Sequence, residues 1–282
     1  MELTTFFWTA FLASVGAGVV GAVLGLGGGI LLVPILSMFY GVDIHYAMGA
    51  SIVSVIATSS GAAVAYLKTG LSNVRVGLFL VMATISGALT GALLAGVVPV
   101  RWLELILGLA LGYSAFTTIR QLNLELPGPI PIDDLAIRFR LEGAYTDQHL
   151  RRQVAYRAAH VRQGFLAMFG AGVLSGLLGI GSGAFKVLAM DYLMRLPMKV
   201  STATSNFMIG ITAAASAGIY FTRGDIHPLI VSPVALGVLL GAYLGTLVMA
   251  RLRNATVRKV FLPVLIYLAA SMILKGLGVH WR

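Results

Sequence analysis

The sequence predicts an all-α polytopic membrane protein made of two inverted-topology repeats of about five helical segments each, with glycine-broken half-length helices. Three observations predict this fold class. Hydrophobic residues make up 58% of the chain and charged residues 11%, the motifs of one half return in the other, and basic residues are distributed unevenly between the loops. They divide the chain into membrane repeat 1 (1–119), a cytoplasmic polar linker (120–163) and membrane repeat 2 (164–282).

An internal repeat covers most of the chain. A shift of 154 positions carries residues 16–19 onto 170–173 and residues 24–29 onto 178–183 without a gap. This period far exceeds the 20–50 residues typical of solenoid repeats, so it indicates two fused halves. Further matched pairs are Ser51 and Ser205, Tyr66 and Tyr220, Gly70 and Gly224, Gly87 and Gly241, and Gly91 and Gly245.

Each half contains four apolar runs that are long enough to cross a bilayer as helices. The first run is preceded by Met1 and Glu2 and by no basic segment, so we expect a permanent helix and not a cleaved signal peptide. A shorter apolar run follows each glycine-rich cluster, at 29–41 and 183–195. The long runs are 6–24, 45–67, 74–98 and 102–119, then 164–178, 199–221, 228–250 and 257–274.

The distribution of Lys and Arg predicts the orientation of the two halves. The arginine-rich linker is expected in the cytoplasm by the positive-inside rule. With halves of opposite orientation, eight basic residues of the short loops are cytoplasmic and four lie outside; with parallel halves, five are cytoplasmic and seven lie outside. The rule therefore favours inverted repeats with both termini outside. The eight are Lys68, Arg75, Arg195, Lys199, Arg251, Arg253, Arg258 and Lys259, and the four are Arg101, Arg223, Lys275 and Arg282.

Inversion requires an odd number of crossings in each half, so the short run after each glycine cluster must supply the fifth. About 13 residues of helix extend over about 20 Å, which is less than the ~30 Å hydrocarbon core. We therefore predict a broken hairpin in each half, made of one full helix, a glycine turn and a half-length helix, and ten helical segments in total.

The two glycine clusters are the first candidate substrate-binding residues. Glycines there would break the helix and free backbone N–H groups, which membrane proteins tolerate beside a cavity or inside protein. Each half-length helix would direct its positive dipole end at the occupant, which suits an anion. The alternative is close helix packing, which better explains the scattered glycines elsewhere. No strand precedes either cluster, so neither is a dinucleotide fingerprint. The candidates are Gly27, Gly28, Gly29, Gly181, Ser182 and Gly183.

Polar side chains close to the clusters complete the candidate site. Lys186 lies three residues after the second cluster, inside an apolar run. A cation there most simply pairs with an anionic substrate, although it could instead snorkel to an interface or pair with Asp191. Hydroxyl and amide groups would orient oxyanions, the alternative being hydrogen bonds between helices. The candidates of this kind are Ser51, Thr204, Ser205 and Asn206.

Composition and motifs argue against several other functions. The net charge of +10 arises from residues in loops and at helix ends, so no nucleic-acid partner is expected. The chain has no cysteine and its five histidines lack ligand spacing, so we predict neither a metal nor a cofactor. No HExxH, paired-carboxylate or Walker A motif occurs, which disfavours an intramembrane enzyme and direct use of ATP. A cation channel or transporter would require carboxylates in the membrane, for which Asp191 is the candidate.

The motifs resemble those of the TauE/SafE family of sulfite and organosulfonate transporters. The resemblance is carried by residues 16–34, 49–51 and 66–70, and in the second half by 203–206 and 220–224. It implies an inner-membrane secondary transporter for a small sulfur-containing anion such as sulfite, a sulfonate or sulfoacetate, with a proton or a sodium ion as candidate coupling partner. The identity of the anion, the direction of transport and the oligomeric state stay open.

The second half departs from this pattern at three positions. Ser182 replaces a glycine, Leu188 stands where the first half has Pro34, and Lys186 stands where it has Leu32. The last of these changes favours an anionic substrate.

Overall fold

A computed structural model describes residues 3–68, 70–120, 133–147, 152–249 and 254–278. Within these residues the chain is predominantly helical, and five helices are long and apolar enough to cross a membrane. This confirms the predicted multi-pass helical membrane protein. The five spans are Thr4–Val23, Ile44–Val64, Val74–Ala95, Val161–Leu178 and Pro228–Val248.

The helices of the two halves follow one another in the same order. In the first half they are α1 (Leu3–Leu24), α2 (Gly29–Pro34), α3 (Ile44–Lys68), α4 (Val74–Ala95) and α5 (Val100–Arg120). In the second half they are α7 (Val161–Leu178), α8 (Gly183–Leu188), α9 (Met198–Thr222), α10 (Pro228–Met249) and α11 (Asn254–Gly276). Two π-helical turns prolong the short helices, Ile35–Phe39 after α2 and Ala189–Leu193 after α8.

The linker contains a small folded element, so the all-α prediction is wrong for this segment. Helix α6 (Asp134–Arg138) precedes strands β1 (Glu142–Asp147) and β2 (Arg152–Arg157), which pair antiparallel. Tyr145 is buried between the exposed residues Ala144 and Thr146, and the buried Tyr156 follows the exposed Ala155. This alternation has the period of two that is typical of a strand, but a search for long apolar runs does not detect it.

Asp133 joins the linker to the membrane helices. One carboxylate oxygen accepts a hydrogen bond from Leu135 N, the other from Val161 N at the start of α7, at 2.9 and 2.7 Å. Burial opposes ionisation, but these backbone donors and nearby His160 lower the pKa of Asp133 below its ordinary value. A lowered pKa contributes stability above the unfolded-state value of about 3.9, and this stability is lost as the pH falls through the folded-state pKa.

The linker also packs against the first half. The ring of Phe139 lies 4.9 Å from that of Phe79 on α4. Asn73, which caps α4, donates hydrogen bonds to Tyr156 Oη at 3.1 Å and to the carbonyl of Glu142 at 3.3 Å. The hairpin is therefore held at the end of the membrane domain where α4 and α7 begin.

Equivalent helix pairs pack at equivalent places in the two halves. Helix α4 lies along α7, and α1 lies along α10. A methyl group on Gly91 would overlap the carbonyl oxygen of Val173, and one on the equivalent Gly245 would lie 2.6 Å from that of Val19. These scattered glycines thus allow close backbone contact, which is the interpretation that the sequence favours for them.

The matched helices α3 and α9 run in opposite directions against each other. Near the start of α3, a methyl group on Gly49 would overlap the carbonyl of Asp225, which follows α9. Just after α3, Ser72 Oγ lies 3.4 Å from the carbonyl oxygen of Ala203, near the start of α9. The beginning of each helix therefore lies beside the end of the other.

A matched tyrosine fixes these two helices to the ends of α1 and α7. Tyr66 Oη donates a hydrogen bond to the carbonyl of Ala22 at 3.0 Å. Tyr220 Oη donates to the carbonyl of Gly176 at 2.7 Å. Donor and acceptor in this second hydrogen bond are each 154 residues after their counterparts in the first. Both tyrosines hold the last turns that precede the glycine clusters.

Candidate functional site

Two tight turns separate α1 from α2 and α7 from α8. Five glycines and one serine in these turns have positive φ, a backbone conformation that glycine adopts without the clash of a Cβ atom. Ser182 takes this conformation at the position of Gly28 and is correspondingly strained. The φ angles are +72°, +72° and +73° for Gly25, Gly27 and Gly28, and +64°, +72° and +47° for Gly179, Gly181 and Ser182.

The two turns contact each other. A methyl group on Gly183 would overlap the carbonyl oxygen of Gly25, and one on Gly29 would lie 3.0 Å from that of Ile180. Direct backbone contact leaves no room for a ligand between these atoms. The arrangement is therefore closed, and a substrate that passes between the turns must separate them.

Two fully buried apolar side chains cover the junction of the turns. A methyl group on Gly27 would lie 2.9 Å from Ile209 Cγ2, and one on Gly181 would lie 2.8 Å from Val55 Cγ1. Val55 and Ile209 are matched positions of α3 and α9. They are not predictable as site residues from the sequence, because apolar residues in membrane helices give no distinguishing signal.

Backbone donors are left unpaired where α2 and α8 begin. Among the described residues, no hydrogen bond is donated by the N–H groups of the first two residues of α2, the first two residues of α8, or the residue that precedes α8. The first N–H groups of a helix have no acceptor within the helix and can bind an anion. The five positions are Gly29, Ile30, Ser182, Gly183 and Ala184.

Unpartnered polar side chains surround the same turns. Ser51 Oγ would lie 2.6 Å from a methyl group on Gly29, and the methyl of Thr202 would lie 3.0 Å from one on Gly25. A buried polar atom without a partner is unfavourable and rare, so this concentration indicates a site that an additional molecule can satisfy. Within the described ranges, the buried side-chain atoms without a hydrogen bond are Ser51 Oγ, Ser175 Oγ, Ser182 Oγ, Thr202 Oγ1 and Asn206 Oδ1.

Three candidate residues of α9 have different surroundings. Ser205 Oγ donates to the carbonyl of Gly25 at 2.9 Å and lies 3.4 Å from that of Gly183, so it bridges the two turns. The amide of Asn206 donates to the last turn of α1. Thr204 instead accepts a hydrogen bond from Asn73 N at 3.0 Å, which directs its hydroxyl towards the beginning of α4.

Lys186 is fully buried where α8, α9 and α4 meet. Its Nζ donates to Thr212 Oγ1 at 2.9 Å, and that oxygen lies 2.9 Å from Thr84 Oγ1. No ion pair among the described residues includes Lys186, and its burial argues against snorkelling. An ammonium has three N–H donors, so two are left for a ligand.

Thr84 is not among the site residues that the sequence predicts. A hydroxyl in an otherwise apolar run is common in membrane helices, and its matched position is Val238. Because the two halves have different residue types at this position, the internal repeat does not mark Thr84 as a site residue.

Comparison with known proteins places these features in a family. A family model described as sulfite exporter TauE/SafE matches residues 10–272. The chain belongs to this family. The resemblance that the glycine motifs carry is thus confirmed, and TauE/SafE membership indicates a membrane transporter and not an enzyme.

Two relatives of this TauE/SafE protein from Bacillus subtilis (strain 168) are similar over most of their length. The probable membrane transporter protein YunE is 26% identical over 268 residues, which cover 93% of this chain and 95% of YunE. The probable membrane transporter protein YdhB is 26% identical over 229 residues, covering 81% of this chain and 84% of YdhB.

A third relative is longer than this TauE/SafE chain. The probable membrane transporter protein MamO of Paramagnetospirillum magneticum (strain ATCC 700264 / AMB-1) is 23% identical over 280 residues, which cover 94% of this chain and 43% of MamO. No solved structure matches the chain at a significant level.

Proposed function

We propose that the chain is a secondary transporter that moves a small sulfur-containing oxyanion, of the sulfite, sulfonate or sulfoacetate class, across the cytoplasmic membrane. One observation carries this proposal. The two glycine turns meet with backbone N–H donors that have no partner among the described residues, and Lys186 lies one turn into the helix that follows the second cluster. Helix N-termini together with a positive charge favour an anion.

A cation channel or transporter is the main alternative, and it requires acidic groups along the pathway. Glu104, a buried carboxylate of α5, already pairs with Lys275 at 3.1 Å. Asp191 lies in the π-helical turn after α8 and is half-buried. A metal-dependent intramembrane enzyme is a weaker alternative, because the described residues contain no group of three or more metal-ligating side chains. Neither class accounts for the unpaired backbone donors.

The proposed architecture is a pair of inverted repeats whose half-length helices α2 and α8 begin at the glycine turns. Opposite directions of the matched helices α3 and α9 support inversion, as do the equivalent contacts of α1 with α10 and of α4 with α7. In such transporters the substrate binds at the repeat interface, near the bilayer midplane. A proton or a sodium ion is the proposed coupling partner.

The inverted architecture predicts a specific topology in the inner membrane, with the linker in the cytoplasm and both termini outside. Because the chain has no cysteine, single cysteines report their side directly. Asp43→Cys is expected to react with a membrane-impermeant maleimide in intact cells, and Arg138→Cys only after the membrane is opened. Both side chains are exposed. Labelling of Arg138→Cys from outside would contradict the topology.

Ligand-induced stabilisation tests the proposed substrate class. The purified protein is screened by thermal shift against sulfite, thiosulfate, organosulfonates, carboxylates and phosphate, since a ligand that binds the native state raises apparent stability. We expect a rise with sulfur oxyanions and a smaller one or none with carboxylates. Stabilisation by sodium or organic cations without any effect of an anion would overturn the assignment.

Ser51 provides a test of the site with a matched control on the same helix. Ser51→Ala is expected to weaken anion affinity about ten- to a hundredfold, the loss of one hydrogen bond to a charged ligand. Ser60 is exposed and its hydroxyl donates to the carbonyl of Ile56 on its own helix, so Ser60→Ala should bind the anion as the parent does. Titration by thermal shift or calorimetry measures both. Equal affinity in the two variants would place the site elsewhere.

A further inference from the structure

The side-chain amide of Asn206 has a fixed orientation beside the first glycine turn. Asn206 is fully buried, and its Nδ2 donates a hydrogen bond to the carbonyl of Ala22 at 3.0 Å. The same carbonyl accepts a hydrogen bond from Tyr66 Oη at 3.0 Å. A carbonyl only accepts hydrogen bonds, so the NH2 group must face Ala22. The amide oxygen of Asn206 consequently points away from that carbonyl.

This amide oxygen is a buried acceptor without a donor among the described residues. The other unpartnered atoms around the turns are the hydroxyls of Ser51, Ser175, Ser182 and Thr202, each of which can donate or accept. The backbone N–H groups at the starts of α2 and α8 and the ammonium of Lys186 can only donate hydrogen bonds. Asn206 Oδ1 is therefore an obligate acceptor one residue from Ser205, which bridges the two turns, and the unpaired groups at those turns are mainly donors.

A ligand that contacts these groups must accept hydrogen bonds from the donors and donate one to the amide oxygen of Asn206. A fully deprotonated oxyanion presents lone pairs alone, so it would leave the buried acceptor unpaired and would face it with like partial charge. An oxyanion that retains an O–H group can donate to the acceptor while its remaining oxygens accept from the surrounding donors. Sites built to form a buried hydrogen bond discriminate strongly against ligands that lack the matching group.

We infer that Asn206 is a specificity-determining residue that selects monoanions carrying a donor hydrogen, so that hydrogensulfite binds in preference to a sulfonate of equal charge. The inference rests on the proposed function, because it concerns the anion site of the transporter. The selectivity resides in one half of the protein. The matched position of the first half is Ile52, a fully buried apolar residue, which supplies no second acceptor.

Two probes of the same shape and charge isolate the effect. Methylphosphonate, at a mildly acidic pH at which it carries one negative charge, has an O–H group that methanesulfonate lacks. The full-length protein in detergent is titrated with each. We expect methylphosphonate to bind at least about tenfold more tightly. Equal affinities, or tighter binding of methanesulfonate, overturn the inference and leave the anion transporter intact. Absence of binding by both probes and by sulfite overturns both.

A pair of variants assigns the preference to the amide oxygen. Asn206→Leu has a similar volume and no acceptor, so its preference for methylphosphonate is expected to fall to within about twofold. Tyr66→Phe removes the other donor to the Ala22 carbonyl but retains Asn206, and it should keep the parent's preference. A folded Asn206→Leu variant that still prefers methylphosphonate tenfold overturns the inference. If this variant does not fold, the comparison of the two probes on the parent protein decides alone.

Discussion

Replacing Lys186 with methionine is expected to lower the affinity for the anionic substrate at least about tenfold, which corresponds to about 1.4 kcal/mol of binding free energy. Methionine keeps most of the length and the apolar stem of lysine while it removes the charge. The variant therefore separates electrostatics from packing. Thermal-shift titration with sulfite measures the effect.

The size of the effect follows from the surroundings of the ammonium. Lys186 is fully buried and has Thr212 as its hydrogen-bond partner among the described residues. An ion without a counter-ion in a poorly solvated interior is costly, and an arriving anion removes this cost. A hydroxyl neighbour cannot replace that neutralisation, because it offers a dipole and no net charge.

The burial of Lys186 also determines the expected stability of the Lys186→Met variant. Loss of an uncompensated buried charge should leave the unliganded protein as stable as the parent or more stable. Lys259→Met makes the same chemical change at an exposed position of α11, so it should alter neither stability nor affinity. Sulfite affinity of a folded Lys186→Met protein within twofold of the parent's would show that the ammonium has a structural role.

The helical membrane architecture and the two turns were accessible to sequence reasoning for a physical reason. A membrane span requires a long apolar run, and a positive φ requires a residue without a Cβ clash, so both leave a direct mark in the sequence. Gly25 and Gly179 are recognisable because the turn recurs after 154 residues. Ser182 shows the limit of this argument, since it occupies a left-handed conformation without being glycine.

The side-chain contacts around the site could not be predicted from the sequence in the same way. The contact of Lys186 with Thr212 and Thr84 brings together three helices, and the period of a single helix does not specify which faces meet. Thr204 illustrates the consequence: its neighbour Ser205 bridges the turns, but Thr204 bonds to Asn73. The roles of all these residues in binding stay predictions.

Replacing Gly176 with alanine is expected to destabilise the protein by at least about 2 kcal/mol, the range of overpacked cores. Helix α7 approaches α4 so closely at this position that the added methyl group would overlap the carbonyl oxygen of Ala88 and would lie 2.7 Å from Ala92 N. Both neighbours are backbone atoms of a helix, so no side-chain rotation relieves the overlap. The two helices would have to separate, and the carbonyl of Gly176 that accepts from Tyr220 would move with them.

Gly170 on the same helix provides the matched control for this prediction. A methyl group there meets nothing within 4 Å, and alanine is favoured over glycine in a helix by about 1 kcal/mol. Gly170→Ala should therefore be as stable as the parent or slightly more stable, while Gly176→Ala should give a lower yield of monodisperse protein and a lower melting temperature. Equal melting temperatures for the two variants would mean that α4 and α7 are not in backbone contact. Because Gly176 precedes the second turn, loss of this contact should also abolish anion binding, whereas Gly170→Ala retains it.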